Sequence, residues 1–226
     1  MNATVDEAFW HGKWQRNETG FHELQPNPLL LRHFPALGLP PGACVFVPLC
    51  GKSLDIHWLL EQGYRVVGIE LSQIAVDQLF AELELTPRIS EVGGLRCLEA
   101  GNIRIFVGNI FDLTRTALGP VDAVYDRASL IALPEPVRTA YAPHVIAITD
   151  AAPELLICLE YDQSFRPGPP FSVNEAEVRQ YYGGPFHLTC VRRHDIPGGL
   201  KGTCPATEVV WILEPAAKTR TQDIQP

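Results

Sequence analysis

Val45-Phe46-Val47-Pro48-Leu49-Cys50-Gly51-Lys52-Ser53-Leu54, followed by Arg65-Val66-Val67-Gly68-Ile69-Glu70, decides how the rest of this 226-residue chain is read. The first run is apolar and too short for a helix. It meets a Pro/Gly turn, a helical pattern follows from Ser53 to Gly63, and a second apolar run ends on a carboxylate. Together these make a βαβ unit. Ligands of an open parallel sheet sit beyond the carboxyl ends of its strands, so the turn from Leu49 to Ser53 and the carboxylate of Glu70 are expected to face one crevice. A carboxylate there accepts both hydroxyls of a ribose.

Gly51-Lys52-Ser53 resembles the end of a phosphate loop, but the earlier glycine of that motif is Phe46 here, and no three-glycine dinucleotide pattern is present. The expected ligand therefore bears a ribose without needing a pyrophosphate nest. S-adenosylmethionine (SAM), with a sulfonium and an amino-acid tail in place of phosphates, meets that description. The competing reading is a purely structural βαβ unit with a surface glutamate.

Working outward, Trp10 and Trp14 stand one helical turn apart and share a face. Residues 5–24 are read as a lid over the crevice, continued by Thr19-Gly20-Phe21-His22, or as a staple holding an N-terminal helix in place. Asn27-Pro28 marks the start of a short helix over Leu29 to Phe34. Helical stripes follow from Ser53 (Leu54, Trp58, Leu59) and from Ser72 (Ala75, Val76, Leu79, Phe80, Leu83). Leu95 to Leu98 and Ile103 to Val107 read as a hairpin turned at Gly101-Asn102. It is followed by Gly108-Asn109-Ile110, where a polar side chain reaches an adenine and an apolar neighbour packs on it.

Val121 to Arg127 is a buried-type strand ending in Asp126-Arg127. It lacks the Asp/Asn-Pro-Pro-aromatic motif that a DNA or amide N-methyltransferase would carry at this place, which argues against an amine on a polymer as acceptor. Pro143 is expected to break or kink the helix that starts at Glu135 near Ala142. After the strand at Leu155 to Tyr161 and the turn Pro167-Gly168-Pro169-Pro170-Phe171, Ser172 and Glu175 have capping-box spacing for a helix ending at Gly183-Gly184. Two last strands, about 186–194 and 207–213, have no long helix between them and make an antiparallel edge. The expected fold is α/β, Rossmann-like and doubly wound, a mainly parallel seven-stranded sheet with an antiparallel C-terminal hairpin. A single domain spans 1–215, and 216–226 is a disordered tail.

The formal charge of −8 argues against nucleic acid, because phosphate binding needs a basic face and the one compact basic cluster is Arg192-Arg193-His194. Charged side chains in residues 1–20 interrupt any signal-like run, and no stretch is long and apolar enough to span a membrane. The six cysteines include no C-x-x-C and the seven histidines no H-x-x-x-H, so reduced core thiols and no metal are expected. A cytoplasmic monomer follows as the expectation.

At this point the residues resemble the thiopurine S-methyltransferase family, bacterial type, within the class I SAM-dependent methyltransferases. The resemblance is carried by Phe9-Trp10-x3-Trp14, Thr19-Gly20-Phe21-His22, Val47-Pro48-Leu49-Cys50-Gly51-Lys52, Val66-Val67-Gly68-Ile69-Glu70, Gly101-Asn102-Ile103, Ile110-Phe111-Asp112-Leu113, Tyr125-Asp126-Arg127-Ala128 and Pro167-Gly168-Pro169-Pro170-Phe171. It implies cofactor contacts at Trp10, Trp14, Phe21, Leu49, Gly51, Glu70, Asn109, Ile110 and Arg127, with Arg127 also the catalytic residue. It further implies methyl transfer from SAM to the sulfur of aromatic or heterocyclic thiols such as thiopurines, with selenium or tellurium compounds as further small-molecule acceptors. A SAM- or nucleoside-binding module without turnover, and a methyltransferase for another small acceptor, are the alternatives. The match thins after residue 171, which leaves the acceptor pocket open.

Overall fold

Short polar side chains start the helices of this chain, and two-residue alternation builds its sheet. The structure, a computed structural model, describes residues 6–19 and 22–216. Its elements in chain order are α1 (Glu7–Gln15), α2 (Pro28–His33), β1 (Cys44–Val47), α3 (Leu54–Glu61), β2 (Arg65–Glu70), α4 (Gln73–Glu82), β3 (Arg88–Val92), β4 (Leu95–Ala100), β5 (Ile103–Val107), α5 (Arg115–Leu118), β6 (Ala123–Arg127), α6 (Glu135–Thr149), β7 (Glu154–Tyr161), α7 (Glu175–Tyr182), β8 (Phe186–Asp195) and β9 (Ala206–Pro215). Asn27, Ser53 and Ser72 cap α2, α3 and α4 by accepting from the amides of Leu29, Asp55 and Ala75.

The strands order as β3-β4-β5-β2-β1-β6-β7-β9-β8. The five in the middle, β5 to β7, run parallel, and antiparallel pairs flank them on both sides. The α/β class and the late hairpin are those expected. The sheet has nine strands among the described residues, two more than the expected seven. The extra β3 is an edge strand whose residues are all exposed or half-buried, Ile89 among the exposed, so its sequence carries no alternation to read.

Alternation along the strands divides the core in two. Phe46, Val67, Ile69, Phe106, Tyr141 and Trp211 belong to the cluster that includes α6 and α7, while Val45, Val47, Ile105, Tyr125 and Ile157 belong to the one that includes α2, α3 and α4. The expected break at Pro143 does not occur, and α6 runs through it to Thr149. The missing donor is outweighed by burial of Val137, Tyr141, Ala142, Val145 and Ile148 on the sheet. Asn174, not Ser172, caps α7, accepting from the Glu177 amide at 3.0 Å. Ser172 instead accepts from the Tyr161 amide, also at 3.0 Å, pinning the Pro-rich loop to the end of β7. The rim built by the parallel strands thus gathers Leu49, Glu70, Asn109, Arg127 and Tyr161.

Candidate active site

Glu70, the last residue of β2, is 6% exposed, and each of its oxygens holds a backbone amide. Oε2 accepts from Gly51 at 2.9 Å and Oε1 from Ser72 at 2.8 Å, so one carboxylate joins the turn after β1 to the start of α4. Burial raises its pKa, and the amides of Ser72, Gly51 and Leu71 pull in the opposite direction. Each oxygen keeps a further acceptor site for a hydroxyl. Gly51 has φ +52°, and a Cβ there would lie 3.3 Å from Cζ2 of Trp14. The buried Trp14 thus sits so close over the turn that a side chain at residue 51 would press it back, besides straining the backbone. Gly68 serves closeness too: a Cβ would come within 2.9 Å of Cys50 Sγ and 2.8 Å of Ile105 Cδ1.

Two residues without that freedom also adopt positive φ on this rim, Leu49 at +43° after β1 and Ala128 at +67° after the neighbouring β6. A left-handed alanine costs about 1–2 kcal/mol, and such outliers collect at functional sites. Ala128→Gly is expected to raise stability by up to about 1 kcal/mol, since relief of strain is offset by a freer unfolded chain. It should lower turnover by loosening the residue next to Arg127. Thermal melting and rate measured on one preparation check both signs, and a less stable variant would mean that the Ala128 methyl packs rather than strains.

Asn109 ends the segment after β5. Its Oδ1 accepts from the Phe111 amide at 3.1 Å, and its Nδ2 donates to Glu7 Oε1 of α1 at 2.8 Å. Ile110, 1% exposed, packs in the core and presents no free surface to the crevice. Trp10 is half-buried on α1, edge-on to Phe9. Phe21 lies outside the described residues.

Arg127 ends β6 with its side chain 15% exposed. Its Nη1 lies 3.4 Å from Oδ2 of Asp55, a carboxylate 2% exposed in the first turn of α3, and its Nη2 donates to Glu23 between α1 and α2. Asp55 also accepts from the Tyr125 hydroxyl at 2.8 Å and the Asn27 amide at 2.7 Å. Burial opposes the charge on Arg127, but Tyr125, Asp55 and Glu23 together outweigh it and push its pKa above the usual value. Asp126 takes no part. As its neighbour in a strand it faces the opposite side, where it accepts from Tyr141 Oη at 2.7 Å. The carboxylates that pair with Arg127 are thus not its chain neighbour but Asp55 and Glu23, which the sequence did not single out. The spacing of Tyr125 and Arg127 was the available signal for a shared face.

Beyond β7, a cleft of about 830 Å³ is lined by Tyr161, Ser172, Asn174, Ile196, Cys204 and Thr207, among others. Glu70, Gly51 and Asn109 are not among its walls; Trp14 of α1 lies over Gly51, and Glu7 of α1 accepts from Asn109. Among the described residues no helix is long and apolar enough to cross a membrane.

Residues 5–210 match the family model described as thiopurine S-methyltransferase. A thiopurine S-methyltransferase of Gluconobacter oxydans is 57% identical over 215 residues, covering 95% of this chain and 98% of its own. One of Xanthobacter autotrophicus is 53% identical over 213 residues, covering 94% and 100%. Among solved structures, the SAM-bound magnesium protoporphyrin IX methyltransferase of Synechocystis aligns with TM-score 0.63 at 17% identity, over 95% of this chain and all of that one. The S-adenosylhomocysteine-bound 1,6-didemethyltoxoflavin-N1-methyltransferase of Burkholderia thailandensis aligns with TM-score 0.61 at 16% identity, over 92% and 87%. At such identities the structural likeness speaks for the fold.

Proposed function

The chain belongs to the thiopurine S-methyltransferase family, a family of SAM-dependent enzymes, and from that premise we propose that it methylates the sulfur of aromatic and heterocyclic thiols in the crevice between Glu70 and Arg127. The observation that carries this reading is the guanidinium of Arg127, held at the carboxyl end of the sheet by the buried Asp55, one strand from the turn that Glu70 fastens.

The residues fit the cofactor. Glu70 retains acceptor capacity for two ribose hydroxyls, Gly51 at φ +52° shapes the turn that Glu70 holds, and Asn109 after β5 offers a side-chain amide to an adenine edge. Bound SAM would supply an activated methyl on a sulfonium, whose neutral thioether product, S-adenosylhomocysteine, would be the leaving group. The protein's share is to hold the acceptor collinear with that methyl and to favour its ionised form. Arg127 does the second by placing a positive charge beside the sulfur, and the thiol proton leaves to solvent before transfer. A thiolate is already a strong nucleophile, so no dedicated base is needed. Leu159, Leu200, Cys204 and Ala206 form a separate apolar cluster with Ile131 and Tyr161 beyond β7, chemically suited to the wall of an aromatic-ring pocket.

Methyl transfer from labelled SAM to a panel of thiopurines, aromatic thiols, selenite and tellurite tests the proposal. Turnover of the thiols supports it. Binding of SAM without transfer to any acceptor would favour a binding module, and transfer to metalloids alone would move the natural substrate to selenium or tellurium chemistry.

The N-terminal segment is proposed as a lid. Trp14 against Gly51, Glu7 on Asn109 and Glu23 on Arg127 reach three points of the rim. Hydrogen exchange of this segment should slow when S-adenosylhomocysteine binds, as expected of a lid that excludes water from the transfer. Equal protection with and without it would leave only a staple.

A further inference from the structure

The two carboxylates on Arg127 are unlike each other. Asp55 is 2% exposed, fixed on a helix, and satisfied by the Tyr125 hydroxyl and the Asn27 amide as well as by the guanidinium. Glu23 is 46% exposed and precedes Leu24, itself 83% exposed, in a connecting segment with little burial to hold it. A pair with one side so wet is weak and readily exchanged. Burial raises the pKa of Glu208 on β9, and the charge of Arg127 pulls it part of the way back. One guanidinium therefore pairs with two carboxylates, and the outer one is the one an incoming anion can replace.

We propose that Glu23 is a specificity-determining residue, an internal competitor that occupies the acceptor's anion position on Arg127 and yields only to a ligand carrying negative charge. This rests on the reading that Arg127 faces the acceptor. An aromatic thiolate or carboxylate offers Arg127 the charge that Glu23 supplied, and Glu23 swings out to water. An uncharged ring offers no such exchange, so Glu23 keeps its place and the ligand binds without the guanidinium. The site thus takes anionic aromatic molecules, and its affinity for them is held down by a tethered carboxylate.

Benzoate and benzamide, the same ring with and without charge, are suitable probes as competitive inhibitors of methyl transfer with SAM present. In Glu23→Gln, benzoate is expected to inhibit about threefold to tenfold more tightly, matching removal of a weak competing pair, while benzamide changes less than twofold. Added salt should weaken benzoate alone. Glu23→Ala, with no side chain able to reach Arg127, should behave in the same way, and an unchanged melting temperature in both variants excludes a general loosening. Arg127→Ala separates the two layers. If it abolishes the preference for benzoate while the Glu23 variants leave both inhibition constants unchanged, the internal competitor is overturned and the acceptor site stands. If wild type shows no preference for benzoate and Arg127→Ala alters neither constant, the acceptor reading itself falls.

Discussion

Glu70→Ala is expected to weaken SAM by roughly 1.5–3 kcal/mol, about tenfold to more than a hundredfold in Kd, the scale of losing a charged acceptor for two hydroxyl donors. The geometry adds a second route to the same loss. Glu70 also holds the amides of Gly51 and Ser72, so its removal unties the turn after β1 from the start of α4. Stability follows a different rule. Burial raises the pKa of Glu70 in the folded chain above its unfolded value, so the native state binds the proton more tightly between those two pKa values. Its contribution to stability is therefore greatest when the group is protonated at low pH and declines as pH rises through the folded value. At neutral pH the chain carries a buried carboxylate that folding alone does not reward, and alanine removes that cost along with the two amide bonds. Affinity should consequently fall much more than melting temperature. Calorimetry with SAM beside a thermal melt decides the matter: an unchanged Kd in a folded variant ends the ribose assignment. Glu70→Gln sharpens the result, because its NH2 would face one of the two amides as donor against donor.

How far the sequence carried this reading follows from the range of the forces involved. The βαβ unit was legible because two short apolar runs, the Pro/Gly turn and the helical pattern from Ser53 are local signals, and in the structure they lie within residues 44–70. Glu70 and Gly51 were legible with them, since the end of a strand and the start of a turn fix where each must lie. Edge strand β3 was not, because a strand with one partner and little burial leaves no pattern. Pro143 misled for the opposite reason, a strong local signal overridden by the packing of α6 on the sheet. The surroundings of Arg127 were the least accessible. Asp55 reaches it across 72 residues of sequence and Glu23 across 104, and no spacing rule extends that far.

Those distant partners determine what Arg127→Ala will show. Turnover is expected to fall about tenfold to a hundredfold, the scale of one lost charge-assisted contact in the transition state. The loss should be greatest for thiols mostly protonated at the assay pH, and it should shrink for those already ionised. The sign follows from charge: the guanidinium stabilises the bound thiolate, lowering the acceptor's pKa in the site, so without it the rising limb of the pH profile moves to higher pH. Stability will fall as well, because Asp55 is left buried with a negative charge and only the Tyr125 hydroxyl and Asn27 amide to hold it, a cost of about 1–3 kcal/mol. A lower melting temperature in the single variant therefore decides nothing. Adding Asp55→Asn to Arg127→Ala removes the stranded charge, with the amide oxygen accepting from the Asn27 backbone N–H and the NH2 donating to the Tyr125 hydroxyl, which can turn from donor to acceptor. The double variant should regain most of the lost stability and none of the lost turnover, with the displaced pH profile retained. Measured with two thiols of different acidity, recovery of turnover together with stability would mean that Arg127 serves the fold by neutralising Asp55. A rate that stays low in a chain restored to its original stability assigns the guanidinium to the nucleophile.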